Sequence, residues 1–172
     1  MSAITRCELP QEALLRRYQR EGAYADCYAT DVTGQVSHAA FVEAFYTTWL
    51  FKVEAQLLAW LVAKPSTNAQ ARQLATGATD AFAAWTVEAR AVDQLLLCDF
   101  QGRTRSWLMV AAHPDAATAG TRLYFGSAVV PSQRAGDSKP RLGPVFGLLL
   151  GFHKLYSRAL LSAAKRRLAR LG

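Results

Sequence analysis

The chain has few of the residues that usually announce chemistry. Its cysteines, Cys7, Cys27 and Cys98, are odd in number and form no C-x-x-C pair, so neither a disulfide framework nor a zinc site is indicated. Its histidines, His38, His113 and His153, lack the spacing of a metal site, and no metal is expected. The patterns G-x-S-x-G, G-x-x-x-x-G-K and G-x-G-x-x-G are missing. That removes support for nucleophile-elbow hydrolases and nucleotide-binding loops, and no cofactor or catalytic residue is assigned. The longest apolar runs, 44–51 and 145–152, fall well short of the ~18 residues that a spanning helix needs. The opening MSAITRCELPQEALLRRYQREG carries charge throughout and has no apolar signal core, so a reducing cytoplasm is the expected location.

What is present is an ordinary globular composition. With 172 residues, 51% hydrophobic and 19% charged, the chain is long enough for one domain with a sizeable core and short for two. The net charge of +7 raises a nucleic-acid reading. Much of that excess sits in Lys165, Arg166, Arg167 and Arg170, at the end of a helical pattern where cations complement the helix dipole, so no nucleic-acid partner is expected.

Pro10 to Glu21 reads as a short amphipathic helix closed by Gly22, an N-terminal arm over residues 1–22. Residues 23–172 read as a single α+β domain, which should fold without the arm. Tyr24 to Val32 alternates large and small side chains as a strand does, and Gly34 turns the chain. Ser37 is placed to cap a long helix running to about Ala63, with Phe41, Phe45, Trp49, Val53, Leu57 and Trp60 on one stripe. Lys64-Pro65 ends it, and a short helix from Asn68 to Thr76 stops at Gly77. Four strands follow as an antiparallel meander: Phe82–Ala91, Leu95–Phe100, Arg103–Ala112 and Thr121–Val130. A hairpin loop at Gln101-Gly102 sets Cys98 opposite Arg105 and Leu96 opposite Trp107. In the last strand, the small Gly126 and Ala128 leave room for a helix or a ligand against the sheet. Gly143 to Arg170 closes the chain as a long helix, polar along Lys154, Arg158 and Lys165 and apolar over Phe152, Leu155, Tyr156, Ala159, Leu160 and Ala163.

This order of elements resembles the START-like, or helix-grip, superfamily, in which a curved sheet wraps the last helix. The segment TRLYFGSAVVP at Thr121 to Pro131 is similar to a late sheet strand of that group, and GFHKLYSRALL at Gly151 to Leu161 to its terminal helix. Within the group the resemblance is to a bacterial family whose activity it does not supply. A cystatin-like or nuclear-transport-factor-like cone is the alternative, although those folds place their main helix before the whole sheet.

The expected site is an apolar pocket between sheet and helices, lined by Phe45 and Trp49, by Trp107, Tyr124 and Phe125, and by His153 and Tyr156 of the closing helix. His153 and Tyr156, three apart, point the same way. Arg105, with Glu88 and Arg90 assigned to one strand face, adds a cation that would select an anionic or carbonyl-bearing ligand if that face turned inward. The same residues are also compatible with plain core and solvated ion pairs. The functional expectation is a protein that binds a small, largely hydrophobic molecule. An enzyme of the cyclase or hydratase type using the same pocket is one alternative, and weak docking of the basic-ended helix on a membrane surface or a protein partner is another.

Overall fold

The computed structural model describes residues 3–48, 67–115, 118–130 and 144–170, with the side chains of 144–154 outside that description. Among the described residues, seven strands form one open antiparallel sheet, accompanied by four helices in an α+β arrangement. In chain order these are β1 (Thr5–Arg6), α1 (Arg16–Arg20), β2 (Tyr24–Thr33), α2 (His38–Tyr46), α3 (Asn68–Thr76), β3 (Ala81–Phe82), β4 (Trp85–Ala91), β5 (Gln94–Asp99), β6 (Thr104–Ala112), β7 (Gly120–Val129) and α4 (Pro144–Leu168). The strands lie side by side as β1-β2-β7-β6-β5-β4-β3, so the first long strand pairs with the last one.

Period-two alternation divides the sheet into two faces, and both are covered. On the inner face, Tyr28, Leu95, Leu97, Leu108, Leu123 and Phe125 pack with Phe41, Val42 and Phe45 of α2, Ala71 and Leu74 of α3, and Leu160, Leu161 and Ala164 of α4. On the outer face, Cys27, Leu96, Trp107, Met109 and Ala128 pack beneath Leu9, Ala13, Leu15 and Tyr18 of the N-terminal arm. A helical pattern from Pro10 to Glu21 is realised only as the five residues of α1. The chain before it turns tightly instead, with Ala13 N bonded to Pro10 O and Arg16 N to Ala13 O.

One buried amide ties the arm to the sheet at its centre. Gln94 Oε1 accepts from Trp107 Nε1 at 2.9 Å and from Leu14 N at 3.0 Å, while its Nε2 donates to Glu12 O at 3.2 Å. Gly126 completes the fit, because a β-carbon there would stand 2.9 Å from Leu15 Cδ2 and 2.9 Å from Trp107 Cε3. The small residue expected to admit a helix or a ligand therefore admits the arm and an indole.

The helices follow their end signals. The Ser37 hydroxyl caps α2 by accepting from Ala40 N, and α3 carries a capping box between Thr67 and Gln70 and ends at Gly77 with φ of +78°. The continuous helix expected from Ser37 to Ala63 instead ends at Tyr46. There the Thr47 and Thr48 hydroxyls bond back to the carbonyls of Glu43 and Phe45, a habit of threonine that competes with helical continuation. The remainder of that expected helix, with Val53, Leu57 and Trp60, lies outside the described residues. In α4 the buried side is Ser157, Leu160, Leu161 and Ala164, whereas Leu155, placed on the apolar side from sequence, is 69% exposed. Lys165, assigned to the polar stripe, is half-buried and donates to Thr30 Oγ1 of β2.

Candidate functional site

Where α4 crosses the inner face, the packing leaves a cavity of about 210 Å³. Its apolar wall is Phe45 of α2, Ala84 and Trp85 at the β3–β4 turn, Phe100, Phe125 of β7 and Leu160 of α4. Phe45 and Phe125 meet with ring centroids 4.8 Å apart, a tilted contact that fixes the floor. Phe100 is 55% exposed beside it, which places an aromatic ring at the mouth.

The polar groups on this wall are mostly hydroxyls. Ser106 Oγ pairs with the Tyr46 hydroxyl at 3.0 Å, both buried. Ser127 Oγ donates to Asp26 Oδ1 at 2.6 Å, and Asp26 is itself buried across the β2–β7 ladder. Ser157 is fully buried, and its Oγ has no hydrogen-bond partner among the described residues. Asp99 also borders the cavity, but its carboxylate accepts from Arg103 N, Thr104 N and the Thr104 hydroxyl, so it serves the β5–β6 turn. Burial, reinforced by the negative charge of Asp26, pushes the Tyr24 phenol up to about 12, and the same causes raise Tyr28. Both phenols on the Asp26 face are therefore neutral at physiological pH.

Of the residues expected to line a pocket, Phe45, Phe125 and Tyr156 come together around this cavity. Trp107 and Tyr124 do not, because they lie on the outer face with ring centroids 6.2 Å apart. The reason is strand alternation: Tyr124 and Phe125 are neighbours on β7 and point opposite ways, and Trp107 is paired with Gly126. Trp49 lies outside the described residues, and His153 belongs to α4 at a position whose side chain lies outside the description. Arg105 borders the cavity, but its Nε is bonded to Glu88 Oε2 and to the Tyr18 hydroxyl, and its guanidinium lies 4.6 Å from the Tyr18 ring centroid. With side chains only 11% and 19% exposed, Arg105 and Glu88 form a largely desolvated pair, and removing one partner would strand the other. That cation is committed to the arm and not to the cavity.

Glu88 and Arg90 do not share a face as their spacing suggested. The register shifts between Val87 and Ala89, and this bulge sends Glu88 outward to Arg17, Tyr18 and Arg105 while Arg90 turns to the carbonyls of Leu74 and Thr79. The lining residues missed from sequence include Trp85, Phe100, Ser106, Ser127, Ser157 and Leu160. Two carried a usable signal, since Ser127 lies two residues from Phe125 on one strand and Leu160 lies one turn from Tyr156.

Among the described residues, no group of three or more His, Cys, Asp or Glu side chains converges as metal ligands would. No described helix is long and apolar enough to cross a membrane. No family model matches the chain, and no curated protein or solved structure matches it significantly.

Proposed function

We propose that this chain is a START-like, helix-grip protein that binds a small, largely hydrophobic molecule with one hydrogen-bonding end, held between the inner face of the sheet and α4. The observation that carries the reading is an apolar cavity bordered by Ser157, whose fully buried Oγ has no hydrogen-bond partner among the described residues. A buried hydroxyl without a partner costs stability, and a ligand carbonyl or hydroxyl would relieve that cost. Size narrows the ligand further. A dry cavity of about 150 Å³ holds benzene, so a volume of about 210 Å³ suits one ring carrying a short polar substituent. The helix-grip assignment is supported by the pairing of the first long strand with the last and by a covering helix that follows the sheet in the chain. The cone-type folds place theirs before it.

The test is native mass spectrometry of the purified protein for a co-purified small molecule, followed by ligand-observed NMR with a panel of monosubstituted benzenes. Saturable binding that favours carbonyl- and hydroxyl-bearing rings is expected. Ser157→Ala should weaken those rings by up to about tenfold while sparing toluene, since one net hydrogen bond is worth about 1 kcal/mol. Absence of saturable binding across the panel would refute the pocket, and an unchanged preference in Ser157→Ala would remove that hydroxyl as the anchor.

A second reading, turnover of the cyclase or hydratase type in the same pocket, is favoured by one observation. The carboxylate of Asp26 is buried one hydrogen bond behind the cavity-lining Ser127, an arrangement that could take or return a proton at Ser127 Oγ. Product formation from a bound ring compound, lost in Asp26→Asn with binding retained, would establish it.

A further inference from the structure

We propose that Cys7 and Cys27 form a peroxide-reactive thiol pair, in which Cys7 is oxidised by a small hydroperoxide and Cys27 resolves it to an intramolecular disulfide. The antiparallel register of β1 on β2 runs Thr5 opposite Ala29 and Arg6 opposite Tyr28, and its next step sets Cys7 opposite Cys27. Cys7 N donates to Cys27 O at 3.0 Å, and the two sulfurs lie 3.3 Å apart. Residues facing each other at a hydrogen-bonded position have Cα atoms about 5.5 Å apart, inside the ~4.4–6.8 Å span of disulfides, so bridging needs no backbone rearrangement.

The two thiols are unequal. Cys27 is buried, while Cys7 is half-buried beside a cavity of about 330 Å³ lined by both cysteines, Arg6, Glu8, Gln19 and Asp26, with Leu9 and Ala25 completing the wall. A small peroxide can therefore enter at Cys7. The hydrogen-bonded contact between the two thiols lowers the Cys7 pKa, with the Arg122 charge assisting against burial, whereas the same contact and burial push the Cys27 thiol up. A low-pKa, accessible sulfur next to a resolving one is the arrangement that peroxide-sensing cysteines use. Cys98 is excluded as a partner: β5 lies three strands from β2, about 14 Å at ~4.8 Å per strand.

The chemistry balances with the hydroperoxide as oxidant. The Cys7 thiolate attacks one peroxide oxygen, the O–O bond breaks, an S–O bond forms, and the departing hydroxide takes a proton to leave as water. The Cys27 sulfur then attacks Cys7 Sγ and gives up its proton, the S–O bond breaks, and the hydroxyl leaves as a second water. Two thiols are oxidised to one disulfide, and one hydrogen peroxide is reduced.

The test treats the reduced, full-length protein with one equivalent of hydrogen peroxide under native conditions. Expected are the loss of two of the three free thiols, an intact mass lower by two hydrogens, a Cys7–Cys27 linked peptide, and a Cys98 that still alkylates. Cys27→Ser should stop at a sulfenic acid on Cys7 that dimedone traps, and Cys7→Ser should leave Cys27 unreacted. Retention of all thiols in the parent protein, first oxidation at Cys98 or Cys27, or a disulfide between two chains would each overturn the proposal. The peptide map of the unmutated protein decides the point even if a variant misfolds.

Discussion

Replacing Gln94 with leucine keeps an interior volume that is 5% exposed but removes the acceptor shared by Trp107 Nε1 and Leu14 N. Trp107 is fully buried, so its indole N–H is left without compensation, at about 1–3 kcal/mol. Leu14 is half-buried and regains water, losing about 0.5–1.5 kcal/mol net, and the carbonyl of the exposed Glu12 rehydrates at little cost. The sum is a destabilisation of about 1.5–4.5 kcal/mol, which at a urea slope of roughly 2 kcal/mol/M lowers the midpoint by about 0.8–2.3 M. Trp107→Phe in the Gln94→Leu background removes the stranded donor. The double variant should therefore lose at least about 1 kcal/mol less than the two single changes added together. A Gln94→Leu midpoint within about 0.3 M of the parent, or strict additivity in the cycle, would refute the idea that this amide holds the arm on the sheet.

Gly126→Ala should cost about 1–3 kcal/mol in the same unfolding assay, because the new β-carbon meets Asp26 O, Leu15 Cδ2 and Trp107 Cε3, each at 2.9 Å; an unchanged midpoint would mean that the arm yields freely. His38 has its pKa lowered by burial, against the raising effect of its hydrogen bond to the Leu108 backbone. Below about pH 6.5 the unfolded chain therefore binds the extra proton first, and stability should fall as pH drops from there toward the folded value. His38→Gln should flatten that slope between about pH 7 and 5, and a folded-state NMR titration at or above 6.5 would contradict it. Deleting the residues before Tyr24, harmless on the sequence pattern alone, should now uncover Leu96, Trp107 and Met109 and abolish a cooperative, monomeric fold. A truncated protein that elutes as a monomer and keeps the parent midpoint would show the arm to be dispensable.

Local signals carried much of the fold. The Gln101-Gly102 loop fixed a register in which Cys98 does oppose Arg105 and Leu96 does oppose Trp107, and Asn68 to Gly77 was readable from its capping residues and its terminal glycine. Alternation told which residues share a face, yet it could not say which face receives α4, because both faces are covered and neither is plainly polar. That is why Trp107 and Tyr124 were grouped with Phe125 from sequence. The contacts of Glu88 and Gln94 with the arm join positions about 70–80 apart, the bulge at Val87–Ala89 is a slip of one residue, and β1 is two residues paired across the intervening α1, so no local pattern announces them. The serine hydroxyls of the cavity were passed over for a related reason, since serine acquires meaning only from what surrounds it.

Both rims of the sheet are two-residue strands, Thr5–Arg6 at one side and Ala81–Phe82 at the other. A foreign strand approaching either rim finds too few open peptide groups to build a ladder, and at one of them it also meets the charge of Arg6. The small strand β1 thus occupies the middle of β2, at Cys27 to Ala29, and breaks up a row of outward peptide groups that would otherwise be a ready template for filament growth. A segment too short to register as a strand in the sequence is in this sense what keeps neighbouring molecules from zipping together.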